Sequence, residues 1–296
     1  MAISQDYQIE YTNPDGNSIL IGAETDYDLT ELRGFGMPDV RANDINRLDA
    51  NGFVSSRVEL LEGRNISFRV VIYGAPGDTL DTNVTNFSKA FQLSDTPGTL
   101  QFKFPGPGLG TADTTNDERF VKCYVRRVTK QILARNSSGR IPVFVSLQCP
   151  NPIINGAEQH SEDLSLSSFT GGATFNATFN LSFGAGSSAA TVCTNAGNFP
   201  QNPVVKFNGP ATDPKLTNNT SGEHIELKGL TLAAGEYCDV DFYDRSVLKG
   251  GSTSVYNYVT SDSTWWNLKP GDNSLTFSAA SSSATTCNVK WYDAWI

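Results

Sequence analysis

Two histidines, His160 and His224, are the only imidazoles in 296 residues, and an imidazole is the side chain that most often moves protons near neutral pH. His160 falls in a polar stretch. His224 sits between Glu223 and Ile225, on an outward strand face with Glu226 if Ile225 and Leu227 point inward. Both read as solvated surface side chains. No His-Glu-x-x-His, Gly-x-Ser-x-Gly or phosphate-binding loop is present, which removes the simplest metalloprotease, esterase and nucleotidase readings. A glycosidase needs only two carboxylates, and Asp239 and Asp241 share one strand face, with Asp244 following at a turn. Residues i and i+2 of a strand, however, lie roughly 7 Å apart along a single wall. A glycosidase must flank the scissile bond from both sides, so no catalytic residue is assigned.

Binding chemistry has a better candidate. Trp265 and Trp266 are adjacent, so in a strand they point to opposite faces: one enters the core and the other could stack on a sugar ring. The five cysteines, at 123, 149, 193, 238 and 287, form no Cys-x-x-Cys or Cys/His cluster. No metal or cofactor site follows from them, and they read as reduced, small buried hydrophobes. A net charge of −9 argues against a surface built to hold nucleic-acid phosphates. No apolar run approaches the roughly 20 residues that cross a bilayer, and the start Met1-Ala2-Ile3-Ser4-Gln5-Asp6 lacks the pattern of a signal peptide. Asn-x-Ser/Thr triplets, at Asn65 and Asn136 for example, then read as chance products of composition.

The elements that must position these residues are mainly strands. Alternation of apolar and polar residues marks Ile66/Phe68/Val70/Ile72, Leu100/Phe102/Phe104, Val121/Cys123/Val125, Val143/Val145/Leu147 and Phe175/Ala177/Phe179/Leu181/Phe183. It continues through Ile225/Leu227, Cys238/Val240/Phe242, Leu275/Phe277 and Cys287/Val289/Trp291. Short strands of this kind, separated by Gly, Pro, Asn and Asp, predict antiparallel sandwiches. One segment differs: Leu80, Val84, Phe87 and Phe91 recur at helical spacing, predicting an amphipathic helix over 79–93, about four turns long, with Asp78 as N-cap and Asp95-Thr96-Pro97-Gly98 as the stop. Two prolines near Cys149 suggest a boundary. The expected fold is mainly β: an N-terminal α+β sandwich over 1–152, a connecting segment over 153–170 and an all-β sandwich over 171–296.

The chain closes on Trp291-Tyr292-Asp293-Ala294-Trp295-Ile296, and all four tryptophans lie in its last third. Before that ending come Asn198-Phe199-Pro200-Gln201-Asn202-Pro203, Ser221-Gly222-Glu223-His224, Ala234-Gly235-Glu236, Asp241, Arg245-Ser246-Val247, Trp265-Trp266 and Leu268-Lys269-Pro270-Gly271-Asp272-Asn273. In this order the pieces resemble the C-terminal domain of siphophage distal tail proteins. More loosely, Leu32-Arg33-Gly34-Phe35-Gly36-Met37-Pro38, Arg47-Leu48-Asp49-Ala50-Asn51-Gly52 and Glu62-Gly63-Arg64-Asn65-Ile66 resemble the N-terminal part of that family.

The resemblance implies a structural protein of the virion tail tip, assembled in the host cytoplasm. It implies a homo-hexameric ring made by the N-terminal domain, and a galectin-like C-terminal sandwich facing outward. The implied partners are the tail tube, the tail-tip hub and a receptor-binding protein, with DNA passing through the lumen without specific binding and no insertion into a membrane. Asp241, Arg245, Trp291 and Trp295 are then structural motif residues. Lys89 and Gln92, on the outer helix face, become candidates for subunit or partner contact, and part of the negative charge is expected to line the lumen and repel DNA. The competing reading is a carbohydrate-binding adhesin using Trp265 or Trp266; a cell-wall hydrolase has less in its favour.

Overall fold

The computed structural model describes residues 3, 7–41, 45–47, 51, 53–54, 60–75, 78–103, 118–131, 139–166, 186–280 and 285–296. The chain divides into two compact units: one of Met1–Ala157 with Trp295–Ile296, the other of Glu158–Ala294. The expected all-β domain therefore gives up its last two residues to the first unit.

In the first unit, strands β1 (Gln8–Thr12), β2 (Ser18–Ile21) and β3 (Tyr27–Arg33) lead through the two-residue strands β4 (Val40–Arg41), β5 (Ile45–Asn46), β6 (Phe53–Val54) and β7 (Leu60–Leu61) to β8 (Arg64–Tyr73). Helix α1 (Thr79–Ala90) follows, then β9 (Gly98–Lys103), β10 (Glu118–Lys130), β11 (Arg140–Cys149) and the start of β12 (Ile154–Leu166). Two antiparallel sheets form, β2-β1-β9-β10 and β3-β8-β11-β10. They share β10, whose residues 118–123 pair with β9 and whose later half pairs with β11. The alternation seen in the sequence is the cause: Ile66, Phe68, Val70, Ile72, Val145 and Leu147 are fully buried, while the residues between them face outward. The core they share takes in Leu80, Phe87 and Phe91 of the helical segment.

The helix is three turns long, not four. It ends at Ala90 because Phe91 folds inward to stack on Tyr11, ring centroids 4.5 Å apart, and Asn13 donates its side-chain amide to the Lys89 carbonyl, capturing an acceptor the last turn leaves open. Leu93 lies beyond, 80% exposed. Asp78 stands at the N-cap position without a side-chain capping bond. Nearby, the Thr79 hydroxyl accepts from the Ala75 amide.

The second unit contains the rest of β12, then β13 (Gly186–Ser187), β14 (Thr191–Asn195), β15 (Val204–Asn208), β16 (Ala211–Thr212), β17 (Lys215–Asn218) and β18 (Glu223–Glu226). Strands β19 (Thr231–Leu232), β20 (Tyr237–Asp241), β21 (Ser246–Lys249), β22 (Thr253–Ser254), a one-turn 3-10 helix (Tyr256–Tyr258), β23 (Gly271–Ala279) and β24 (Thr285–Trp295) complete it. One sheet runs β12-β24-β15-β20-β21-β22; the other places β13, β14 and β17 on β23, with β18 beyond β17. Val205, Phe207, Leu216, Ile225, Val240, Leu275, Phe277 and Val289 fill the space between them. The segment 153–170, expected as a connection without regular period, instead carries the thirteen-residue strand β12. Its pairing is made by backbone and by polar side chains such as Asn288, whose amide donates to Ser161 and Asp163, so no apolar alternation announced it. The alternation expected at 173–183 lies outside the described residues.

Candidate functional site

Trp266 enters the core, 2% exposed, with its ring 4.7 Å from that of Phe242. This corrects its candidacy as a sugar platform: a ring enclosed on all sides has no face left to stack. Trp265 is half-buried, edge-on to Phe242 and stacked on Tyr256 with centroids 6.1 Å apart. Tyr256 is 48% exposed, so the outward aromatic surface here belongs to Tyr256, with Trp265 as its support.

Of the aspartates of β20, Asp241 serves the backbone. Asp241 Oδ1 accepts from the amides of Tyr243 and Asp244 at 2.8 and 3.0 Å, closing the turn into β21. Arg245 completes that turn at φ 51°, in the left-handed region that few side chains favour. Asp239 lies 4.0 Å from Lys206. Asp241 is engaged by its turn and Asp239 faces Lys206, so neither is set against the other as an acid–base pair.

Both histidines are less exposed than the sequence suggests. His160 Nε2 is 2.9 Å from Asp293 Oδ2, and the imidazole stacks on Trp291 at 5.4 Å. Asp293 Oδ1 in turn accepts from the Ala196 amide, and Trp291 Nε1 donates to the Thr194 carbonyl. No hydroxyl or thiol among the described residues bonds to His160, so the pair ties β12 and β24 to the loop after β14. It prepares no nucleophile. His224 does face outward but is covered to 19% exposure, 3.4 Å from Asp262. Beyond the other end of β18, Lys228 holds Asp213 below the usual carboxylate range by a direct hydrogen bond, helped by the Gly229 amide. The five cysteines are buried free thiols. Burial pushes Cys193 and Cys238 up to about 12, which leaves them protonated and unreactive. Among the described residues no group of histidine, cysteine and acidic side chains could hold a metal ion.

Three buried asparagines pin the loops of this unit. Asn273 accepts from the Lys269 amide and donates to the Lys269 and Gly271 carbonyls. Asn195 donates to Phe199 and Leu268 and accepts from Gly197 and Ala294. Asn218 accepts from the amides of Thr220 and Ser221. Gly197 has no alternative, since a Cβ there would stand 1.8 Å from the Ala294 carbonyl oxygen.

In the first unit the comparable fastening is Arg64, 2% exposed. Its Nε donates to the Pro152 carbonyl and its Nη1 to those of Gly34 and Gly36 at 2.9 and 2.6 Å. Trp295, far along the chain, lies 3.9 Å from the Arg119 guanidinium, a cation–π contact. Lys89 lies in a cavity of about 550 Å³ at the open edge of β2, lined also by Glu10, Glu24, Asp26 and Tyr27. Gln92 is exposed just past the end of the helix. The two are therefore not on one helical face, because the helix stops between them.

Residues 196–295 match the family model of the siphovirus-type tail component, C-terminal domain. Across 91% of the chain, the fold superposes on 94% of the SPP1 Dit (gp 19.1) protein, described as a paradigm of the hub adsorption apparatus in phages infecting Gram-positive hosts, with a TM-score of 0.61 and 14% identity. Residues 196–295 are thus similar to a siphovirus-type tail component domain, and the chain has the fold of the SPP1 Dit protein. No curated protein sequence matches the chain. The matched segment holds Gly197, Asp241, Arg245, Asn273 and Trp291, whose geometry has just been given and which shape turns and strand ends, with the buried Asn195 just before it. Sequence reasoning missed the asparagines and Arg64. For Arg64 the available signals were its own Glu62-Gly63-Arg64 segment and a Gly34-x-Gly36 pair well upstream, which only the fold brings together.

Proposed function

We propose that this chain is the structural distal tail protein of a long non-contractile phage. In this reading its first unit forms a six-membered ring, coaxial with the tail, that joins the tail tube to the tail-tip hub and to receptor-binding proteins. The observation that carries the reading is the agreement of the whole two-unit fold with a distal tail protein, together with the family match of its second unit. A protein that works by surfaces has little use for a poised nucleophile. The carboxylates and histidines described above are engaged in turns, ion pairs and strand ties. DNA passes through the lumen, where an acidic lining repels phosphate. Assembly takes place in the host cytoplasm, before the tail is complete.

Native mass spectrometry and negative-stain images of the purified protein test this. Six-fold rings with a central channel are expected, and their joining to purified tail tube protein and hub protein would complete the reading. A chain that neither forms rings nor binds either partner overturns it.

A second reading, recognition of a host cell-wall glycan, has its support in the exposed Tyr256 ring backed by Trp265. Saturable binding of cell-wall polysaccharide, lost in Tyr256→Ala, would establish it. Absence of binding by the wild-type protein removes it.

A further inference from the structure

A closed ring of identical subunits needs two different, mutually complementary surfaces on each copy, because a head-to-tail contact is heterologous. The first unit carries such a pair. One surface is the cavity at β2. Ser18 and Leu20 point to one side of the sheet and Ile19 to the other, yet all three line it, so the cavity runs along the strand's open edge. Among the described residues β2 pairs only with β1. The walls bring two exposed carboxylates, Glu24 and Asp26, against the single ammonium of Lys89, with Glu10 buried beside them. Glu24 and Asp26 are exposed and make no ion pair among the described residues.

The other surface is the outward face of β8, β11 and the second half of β10. Arg69 and Arg140 are exposed there and make no ion pair among the described residues. The bulge between Val125 and Arg127 places Arg126 and Arg127 together at the margin of that face. Arg126 bonds to Gln148 and Arg127 to Thr129, both neutral partners. The face includes two acidic residues on the neighbouring β3, Asp28 and Glu31, and Glu31 is already held by Arg33.

We propose that the acidic cavity at β2 is the socket for arginines of a second copy of this chain, presented by its β8–β11 face, and that this contact closes the ring. The inference rests on the ring reading above. A guanidinium suits the socket because its five donors can serve several carboxylate oxygens at once, and a desolvated pair of this kind fixes register as well as affinity. Lys89 then acts as a brake, lowering the negative potential of the socket.

The test is self-association by sedimentation and native mass, with the melting temperature of each variant as a folding control. Glu24→Lys with Asp26→Lys is expected to weaken ring formation by about tenfold or more, and Arg69→Glu with Arg140→Glu to do the same. Mixing the two double variants restores hetero-association at the reversed interface. Lys89→Glu is expected to act in the opposite direction and strengthen association, which a merely destabilised protein would not do. Raising salt weakens the wild-type contact. Wild-type rings with unaffected charge-reversal variants overturn the inference and leave the ring reading standing. A wild-type chain that stays monomeric at every concentration and salt overturns both.

Discussion

The two units fasten their loops by different chemistry. In the second, neutral asparagines reach over short distances: Asn273 closes its own turn from Lys269 to Gly271, using an amide's capacity to donate and accept at once. In the first, one guanidinium gathers the carbonyls of Gly34, Gly36 and Pro152, segments remote from Arg64 in sequence. Arginine has donors only, so it suits a place where several chain segments all present carbonyls. The asparagine solution builds local rigidity piece by piece. The arginine solution makes one residue responsible for how three segments meet.

That contrast can be broken by substitution. Trp266→Ala should have the largest effect, about 4 kcal/mol, because it empties the centre of the second unit's core; a thermal unfolding curve in which only the transition of that unit falls is the expected outcome. Arg64→Met should cost about 3 kcal/mol, since it leaves three carbonyls without their donor, and the loss should appear in the first unit's transition alone. If Arg64→Met is tolerated within error, the clasp is not what joins those segments. Asn273→Ala should cost about 2 kcal/mol, with amide exchange accelerated at Lys269 and little elsewhere, which would sharpen the claim that asparagine acts locally.

The smallest effect concerns Asp213. Its carboxyl is held below the ordinary range by Lys228, so its contribution is present above the unfolded-state value near 3.9 and fades as pH falls through the lower folded-state value. Asp213→Asn should therefore lower the melting temperature slightly at pH 7, and the difference should vanish in acid and shrink in high salt.

Much of this was legible from residue order. Alternation found Ile66–Ile72 and Val143–Leu147 because those strands bury one face completely, and helical spacing found α1. The last turn of that helix was overread: Phe91 keeps the apolar spacing but reaches the core from a turn rather than from a helix. Strand β12 was hidden because its middle, Glu158 to Asp163, shows little burial to impose a period. Its partners are backbone and polar groups, which pattern does not report. His160 was misread for the same reason: its partner Asp293 and its stacking ring Trp291 are far away in sequence, and nothing local to His160 signals either. The tryptophan pair lies outside any strand, so alternation could not place it: Trp266 is buried and Trp265 is half-buried against the same core.

One feature of the first unit bears on how the chain comes off the ribosome. Residues 1–157 emerge together, yet Arg119 waits for the ring of Trp295. Synthesis must pass through the whole second unit before the first is finished, so a chain broken off anywhere in between carries an incomplete first unit. A nascent chain stalled at residue 200 should be cut by protease within 1–157 faster than the released protein. For the ring proposed above, this would place a test of full-length translation ahead of assembly.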